Sequence, residues 1–275
     1  MSGRGSPPIG VFDSGIGGLT VLKALLAELP RERFVYLGDT ARLPYGTKSG
    51  ETVVRYSLQA AEALLDLGVK CLVVACNTAS SVGLAAIRER VRPLPVIGVV
   101  EPGAQAACRA TRCGHIAVLA TERTVGGGAY QEAILALRPH AEVDARAAPL
   151  FVALAEEGLA EGPIAEAVAR HYLEDLFAPP AGGSIPDTVV LGCTHFPVLA
   201  PAIRTVVGPR VAIVDSAATT ARVVRARLAE SGLASASDAG EVQFISTDGT
   251  ERFARVGGRF LGREIRPEEV ELIDL

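Results

Sequence analysis

Two cysteines follow apolar runs in the same way: Cys76 closes Val73-Val74-Ala75 and precedes Asn77-Thr78, and Cys193 closes Val190-Leu191-Gly192 and precedes Thr194-His195. A thiol placed where a buried strand ends and a helix begins meets free backbone N–H groups and the positive end of a helix dipole, which favour the thiolate. From an ordinary value of about 8.5, a modest depression leaves a group able to take and return a proton near neutral pH. A single cysteine of this kind reads more simply as a small buried apolar side chain, and Cys71, Cys108 and Cys113 are read that way. The polar company of Cys76 and Cys193 sets these two apart. His195, two residues past Cys193, adds an imidazole that raises or steers the basicity of its thiol.

Asp13-Ser14-Gly15-Ile16-Gly17-Gly18 has the glycine content of a phosphate loop. Its spacing fits neither the dinucleotide fingerprint nor the Walker pattern, and a carboxylate at the mouth repels phosphate. We read it as a backbone anion site for a carboxylate-bearing substrate, with Asp13 facing a thiol as proton partner. A tight strand-to-helix turn capped by Asp13 and Ser14 is the simpler alternative. Adjacent acids Glu156 and Glu157 follow the apolar stretch 150–155, and by default they form a solvated helix face. Cys108, Cys113 and His115 lie close in sequence but lack a convincing fourth ligand, so no zinc or other metal is expected. His140 and His171 have no chemical neighbours. The only lysines are Lys23, Lys48 and Lys70, which leaves few candidates for a pyridoxal phosphate Schiff base.

Elements that would position these residues are visible as β-branched apolar runs at 8–12, 34–37, 71–75 and 96–100, alternating with helical patterns at 19–29 and 53–67. The alternation continues with strands at 116–120, 188–191, 211–214 and 242–245 and helices at 129–137, 164–177, 219–231 and 250–261. This is the signature of α/β architecture with mainly parallel sheets flanked by helices. Three landmarks recur in one order: Ile9 to Ile116 (offset 107), Cys76 to Cys193 (offset 117) and Glu101 to Asp215 (offset 114). Duplicated halves follow. Ligands of open parallel sheets sit at the carboxyl ends of the strands, so facing halves bring Asp13, Cys76, Thr121 and Cys193 to one cleft. Residues 1–101 with 213–275 are expected to form a first α/β domain and 102–212 a second. The Pro/Gly-rich stretch 177–184 and the Ala/Ser-rich stretch 233–240 read as exposed connections.

Composition narrows the function. The 275-residue chain carries a formal charge of −4, with its basic residues scattered among acids, so it lacks the footprint of a nucleic-acid binder. It has no apolar run long enough for a membrane span, and its first residues are short, polar and rich in Gly and Pro, so a cytoplasmic location and no membrane partner are expected. Five cysteines without a secretion signal argue against a disulfide framework. A small polar substrate fits best.

Taken together, the Asp13-Ser14-Gly15-Ile16-Gly17-Gly18 loop, Gly38-Asp39-Thr40-Ala41-Arg42 with Pro44-Tyr45-Gly46, Ala75-Cys76-Asn77-Thr78-Ala79 and Gly192-Cys193-Thr194-His195 resemble the motif set of glutamate racemases, within the aspartate/glutamate racemase superfamily. Glu101-Pro102-Gly103, Thr121 with Thr124, Pro149-Leu150-Phe151-Val152 leading to Glu156, and Asp215-Ser216-Ala217 extend the resemblance over nearly the whole chain. It implies two pseudo-symmetric α/β domains with the active site in the cleft between them, and cofactor-independent racemisation of L- and D-glutamate, supplying D-glutamate for peptidoglycan. On that pattern Cys76, assisted by Asp13, acts on D-glutamate, and Cys193, assisted by His195 and Glu156, acts on L-glutamate. Substrate contacts carried over are Asp13, Ser14, Pro44, Tyr45, Gly46, Cys76, Asn77, Thr78, Thr121, Cys193, Thr194 and His195. No cofactor is implied, and a homodimer is. Ala148, Ala153, Phe196 and Gly127 depart from the usual pattern. The alternatives are a racemase of aspartate or another acidic amino acid, and a catalytically silent regulatory protein on the same fold.

Overall fold

The computed structural model describes residues 6–178, 184–235 and 240–275. The expected connections at 177–184 and 233–240 thus lie in large part outside the described residues. Among them, one sheet contains β1 (Ile9–Asp13), β2 (Phe34–Gly38), β3 (Cys71–Val74), β4 (Val96–Gly98), β9 (Val242–Ser246) and β10 (Val270–Leu272), in the order β10-β9-β2-β1-β3-β4. A second contains β5 (His115–Ala120), β6 (Glu142–Ala147), β7 (Thr188–Gly192) and β8 (Ala212–Asp215), in the order β6-β5-β7-β8. Every pairing is parallel. The order β2-β1-β3-β4 is therefore repeated as β6-β5-β7-β8, which is the duplication expressed as topology. A boundary at 212–213 would cut β8, whose residues pair with β7 from Thr188↔Ala212 to Leu191↔Asp215, so the whole strand belongs to the second sheet.

The central strands are apolar on both faces and wholly buried, as helix-covered parallel strands must be. β6 is different. Its sequence Glu-Val-Asp-Ala-Arg-Ala alternates charge with small or apolar residues, and it occupies the sheet edge, where charges keep other chains from pairing. This strand is missed in the sequence because its charges break the apolar pattern; in the repeated order it stands as the counterpart of β2. The run 96–100 also ends early. β4 stops at Gly98, and Val100 opens the helix Val100–Ala110, with Pro102 in the first turn where its missing N–H costs nothing. Glu101 consequently sits exposed on that helix, 3.4 Å from Arg88, and is not the equivalent of Asp215 at the end of β8.

One hydrophobic cluster runs through both halves, joining Val11, Tyr36 and Phe253 to Leu119, Phe151 and Phe196. Helix Ala217–Glu230, which follows β8 of the second sheet, packs on helix Leu19–Glu28 of the first half. Burial of these side chains, at about 1.5–3 kcal/mol each, joins the two sheets. The strand ends that carry the chemistry therefore face each other.

Candidate active site

β1 ends at Asp13, β3 runs into Cys76, β5 into Thr121 and β7 into Cys193: equivalent ends of equivalent strands. Between them lies a cavity of about 30 Å³ lined by Ser14, Pro44, Tyr45, Gly46, Cys76, Asn77 and Thr78 of the first half and Thr121, Val152, Cys193, Thr194 and His195 of the second. Both thiols reach it. A volume of that size holds a water or two, so any larger ligand enters only when the lining moves apart. Asp13 and Glu156 do not line it. Asp13 is wholly buried behind it, and Glu156 lines an adjoining apolar cavity of about 270 Å³ that shares Pro44, Gly46, Thr121 and Val152.

Cys76 caps the helix Asn77–Val82, its sulfur accepting the Ala79 N–H at 3.4 Å and donating to Ser14 Oγ at 3.4 Å. The expected depression of its pKa is overturned. Burial, then the charge of Asp13, push the thiol up to about 12, outweighing the Ser14 and Ala79 hydrogen bonds, because one N–H of a short helix cannot replace the water lost. The Cys76 group rests as a thiol. Burial likewise pushes the Asp13 carboxyl up, against the lowering effect of His195 and of the Gly18 and Gly15 N–H groups.

The glycine loop also differs from its expected role. The Gly15 N–H donates at 3.0 Å to the Asp13 carboxylate, so the loop's own side chain takes that amide, as in the simpler alternative of a strand-to-helix turn. Gly17 is needed for close approach. A Cβ there would lie 2.5 Å from both Nδ1 of His195 and Oγ1 of Thr194, and the second half packs directly on the loop. Thr194 donates to Asp13 at 3.4 Å, so Asp13 touches the opposite half while acting on Cys76 through its charge.

On the other side, His195 Nδ1 faces Cys193 Sγ at 3.8 Å, and Nε2 lies 3.0 Å from Oε1 of Glu156. Burial disfavours the imidazolium, but the contacts with Cys193 and Glu156 outweigh it and push His195 up to about 10. Burial would raise Glu156, yet His195 and Arg252 hold its carboxyl below the usual range. Of the two adjacent acids it is Glu156 that turns inward; Glu157 is exposed. Arg252, from helix Thr250–Leu261, takes the other Glu156 oxygen at 2.7 Å, a partner that nothing in the local sequence signals.

The remaining residues divide by role. Tyr45 donates its hydroxyl to the buried Asp39, which Arg42 also holds, so that hydroxyl is committed to the loop and not to the cavity. Thr78 and Thr121 hydroxyls meet across the halves at 3.0 Å, with Thr124 3.2 and 3.0 Å from them. Cys71 is buried in the core, Cys108 is half-buried and Cys113 exposed, all three away from the cavity lining. The described residues that could together hold a metal are His115, Glu142 and Asp144, at the far ends of β5 and β6 from the cavity.

This defines a class of protein: repeated α/β halves that bring proton-carrying side chains from both sides to one enclosed cavity. The sequence profile of the family described as Asp/Glu/Hydantoin racemase matches residues 9–224, and the chain belongs to that family. It is 49% identical over 259 residues to the glutamate racemase of Geobacter metallireducens, covering 94% of this chain and 93% of that one. Among solved structures it resembles the glutamate racemase of Thermus thermophilus in complex with beta-chloro-D-alanine (45% identity, TM-score 0.86, 98% of each chain). It also resembles the Francisella tularensis glutamate racemase in complex with D-glutamate (35% identity, TM-score 0.90, 98% of each chain).

Proposed function

We propose that this protein interconverts L- and D-glutamate without a cofactor, using Cys76 and Cys193 as acid and base on opposite faces of the α-carbon. The carrying observation is that both thiols line one cavity from equivalent strand ends of the two halves. Inversion through a planar intermediate requires a proton acceptor on one face and a donor on the other. Cys76, with Asp13 behind it, serves the D-face, and Cys193, with His195 and Glu156, the L-face. One sulfur takes the α-proton while the opposite sulfur gives up its own, so the enzyme ends each turnover with the proton on the other side.

Several features support this reading. Burial and the Asp13 charge keep Cys76 a thiol, poised to donate; a bound substrate ammonium opposes the Asp13 charge and lowers the cost of a thiolate. Charge that develops on the substrate carboxylate as the α-proton leaves is met by preorganised donors, the Asn77 amide and the hydroxyls of Ser14, Thr78 and Thr194. Exclusion of water as the halves close strengthens each contact. The product in this reading is D-glutamate for peptidoglycan synthesis in the cytoplasm, made by a homodimer.

Loss of circular dichroism from L-glutamate incubated with pure protein, and deuterium entry at its α-carbon in D2O, test the proposal. Turnover of aspartate in preference to glutamate would move the substrate assignment. Absence of deuterium exchange with any acidic amino acid would leave a silent protein on this fold. Light scattering tests the dimer.

A further inference from the structure

Tyr130 lies outside every motif discussed above, yet its hydroxyl reaches the cavity lining. It comes from the second half, on helix Ala129–Leu137, and it is wholly buried. Its O–H donates at 2.7 Å to Oδ1 of Asn77, which belongs to the first half. Ser216, beyond the end of β8, lies beside the same phenol. With its oxygen taken in this way, the Asn77 side chain is held in one orientation: the residue is 3% exposed and lines the cavity, and its Nδ2 has no partner among the described residues. An amide with both ends free can turn over; if this one turned over, the buried phenol O–H would lose its acceptor and Nδ2 would have to donate to the phenol instead, at the cost of an unpaired buried proton.

Space for the phenol is built into the chain. A Cβ at Gly103 would come 2.9 Å from the Tyr130 hydroxyl oxygen and 3.3 Å from Cβ of Ser216, so the missing side chain at Gly103 is what lets the phenol reach Asn77. The hold therefore runs from Tyr130 to Asn77, and it crosses between the halves.

We infer that Tyr130 is a positioning residue, which fixes the Asn77 amide with its N–H donors turned toward the substrate carboxylate. This rests on the racemase reading above. The consequence is that Tyr130 acts only through Asn77. Removing the phenol hydroxyl leaves the amide free to present its oxygen to an anion, which turns an attraction into a repulsion in part of the population.

A double-mutant cycle in kcat/KM for glutamate tests this. Tyr130→Phe should lower kcat/KM by about 3- to 10-fold in the wild-type background, the range of one net hydrogen bond. In the Asn77→Ala background the same substitution should cost less than about 1.5-fold, because the group it orients is gone. An equal loss in both backgrounds would make Tyr130 a packing residue and overturn the inference, as would wild-type kinetics for Tyr130→Phe. The orientation is also read without turnover, from the Asn77 side-chain NH2 resonances of 15N-labelled protein. A sharp pair in the wild type that broadens through two-site exchange in Tyr130→Phe supports it, and identical spectra refute it. If the wild type racemises no acidic amino acid, the function fails while the resonance comparison still decides the orientation.

Discussion

Oε1 of Glu156 lies 3.0 Å from Nε2 of His195, so the imidazole that faces Cys193 is held by a carboxylate on its far side. Glu156 is in turn held by Arg252. Thiol, imidazole, carboxylate and guanidinium form one line from the cavity to the surface; Cys193 and Glu156 raise the pKa of the imidazole, and His195 and Arg252 lower that of the carboxyl.

Removing either cavity thiol should end racemisation. Cys76→Ala and Cys193→Ala are each expected to lower the rate by about 10²–10⁴-fold, the usual worth of a positioned acid or base. Cys108→Ala, away from the cavity, should leave the rate unchanged. Polarimetry on L- and D-glutamate checks all three, and full turnover by either cavity variant would end the two-thiol scheme.

His195 should make stability depend on alkaline pH. Its folded pKa of about 10 stands above the ordinary 6.5, so the imidazolium stabilises the fold fully below the lower value, and that contribution is lost as pH rises through the upper one. Thermal unfolding of the wild type should therefore weaken across this window. In His195→Asn the slope contributed by this group should vanish, and an unchanged slope would show that the imidazole is not charged there.

Glu156→Gln removes one of the groups that hold the imidazolium. The pKa of His195 should fall, and the alkaline loss of stability should begin at lower pH than in the wild type. Because the partner left behind is a buried cation, we expect kcat/KM to fall about 10-fold or more. A pH profile of kcat/KM superimposable on that of the wild type would contradict this.

Arg252 bridges from the tail helix to the other half but is 44% exposed, so its pairing with Glu156 is screened by water. Arg252→Gln should cost only about 2- to 5-fold in kcat/KM, with most of the difference disappearing in high salt. A loss as large as that of Glu156→Gln would assign Arg252 a direct part in the proton relay.

Far from the cavity, Lys70 and Glu32 form a pair 2.5 Å apart with both side chains 4% exposed. Lys70→Ala should destabilise the fold by about 3–5 kcal/mol, since it strands a buried carboxylate. Replacing both with apolar residues should recover much of that loss. Urea unfolding measures both, and racemisation should be untouched in the double variant.

Reading the chain alone locates the halves, the buried strands and both cavity thiols, because apolar runs and the residues directly after them are local features. The family likeness selects Glu156 over its neighbour; its contact with His195 spans 39 positions and shows only in three dimensions. The edge strand β6, the partnership of Arg252 with Glu156 and the hold of Tyr130 on Asn77 leave no periodic or motif signal at all. Even the protonation of Cys76 runs opposite to what a helix start suggests. Local sequence specifies which groups are present, but pKa and pairing depend on how much water the tertiary packing removes and which distant charges it brings near. Those two quantities exist only once the halves have closed on each other.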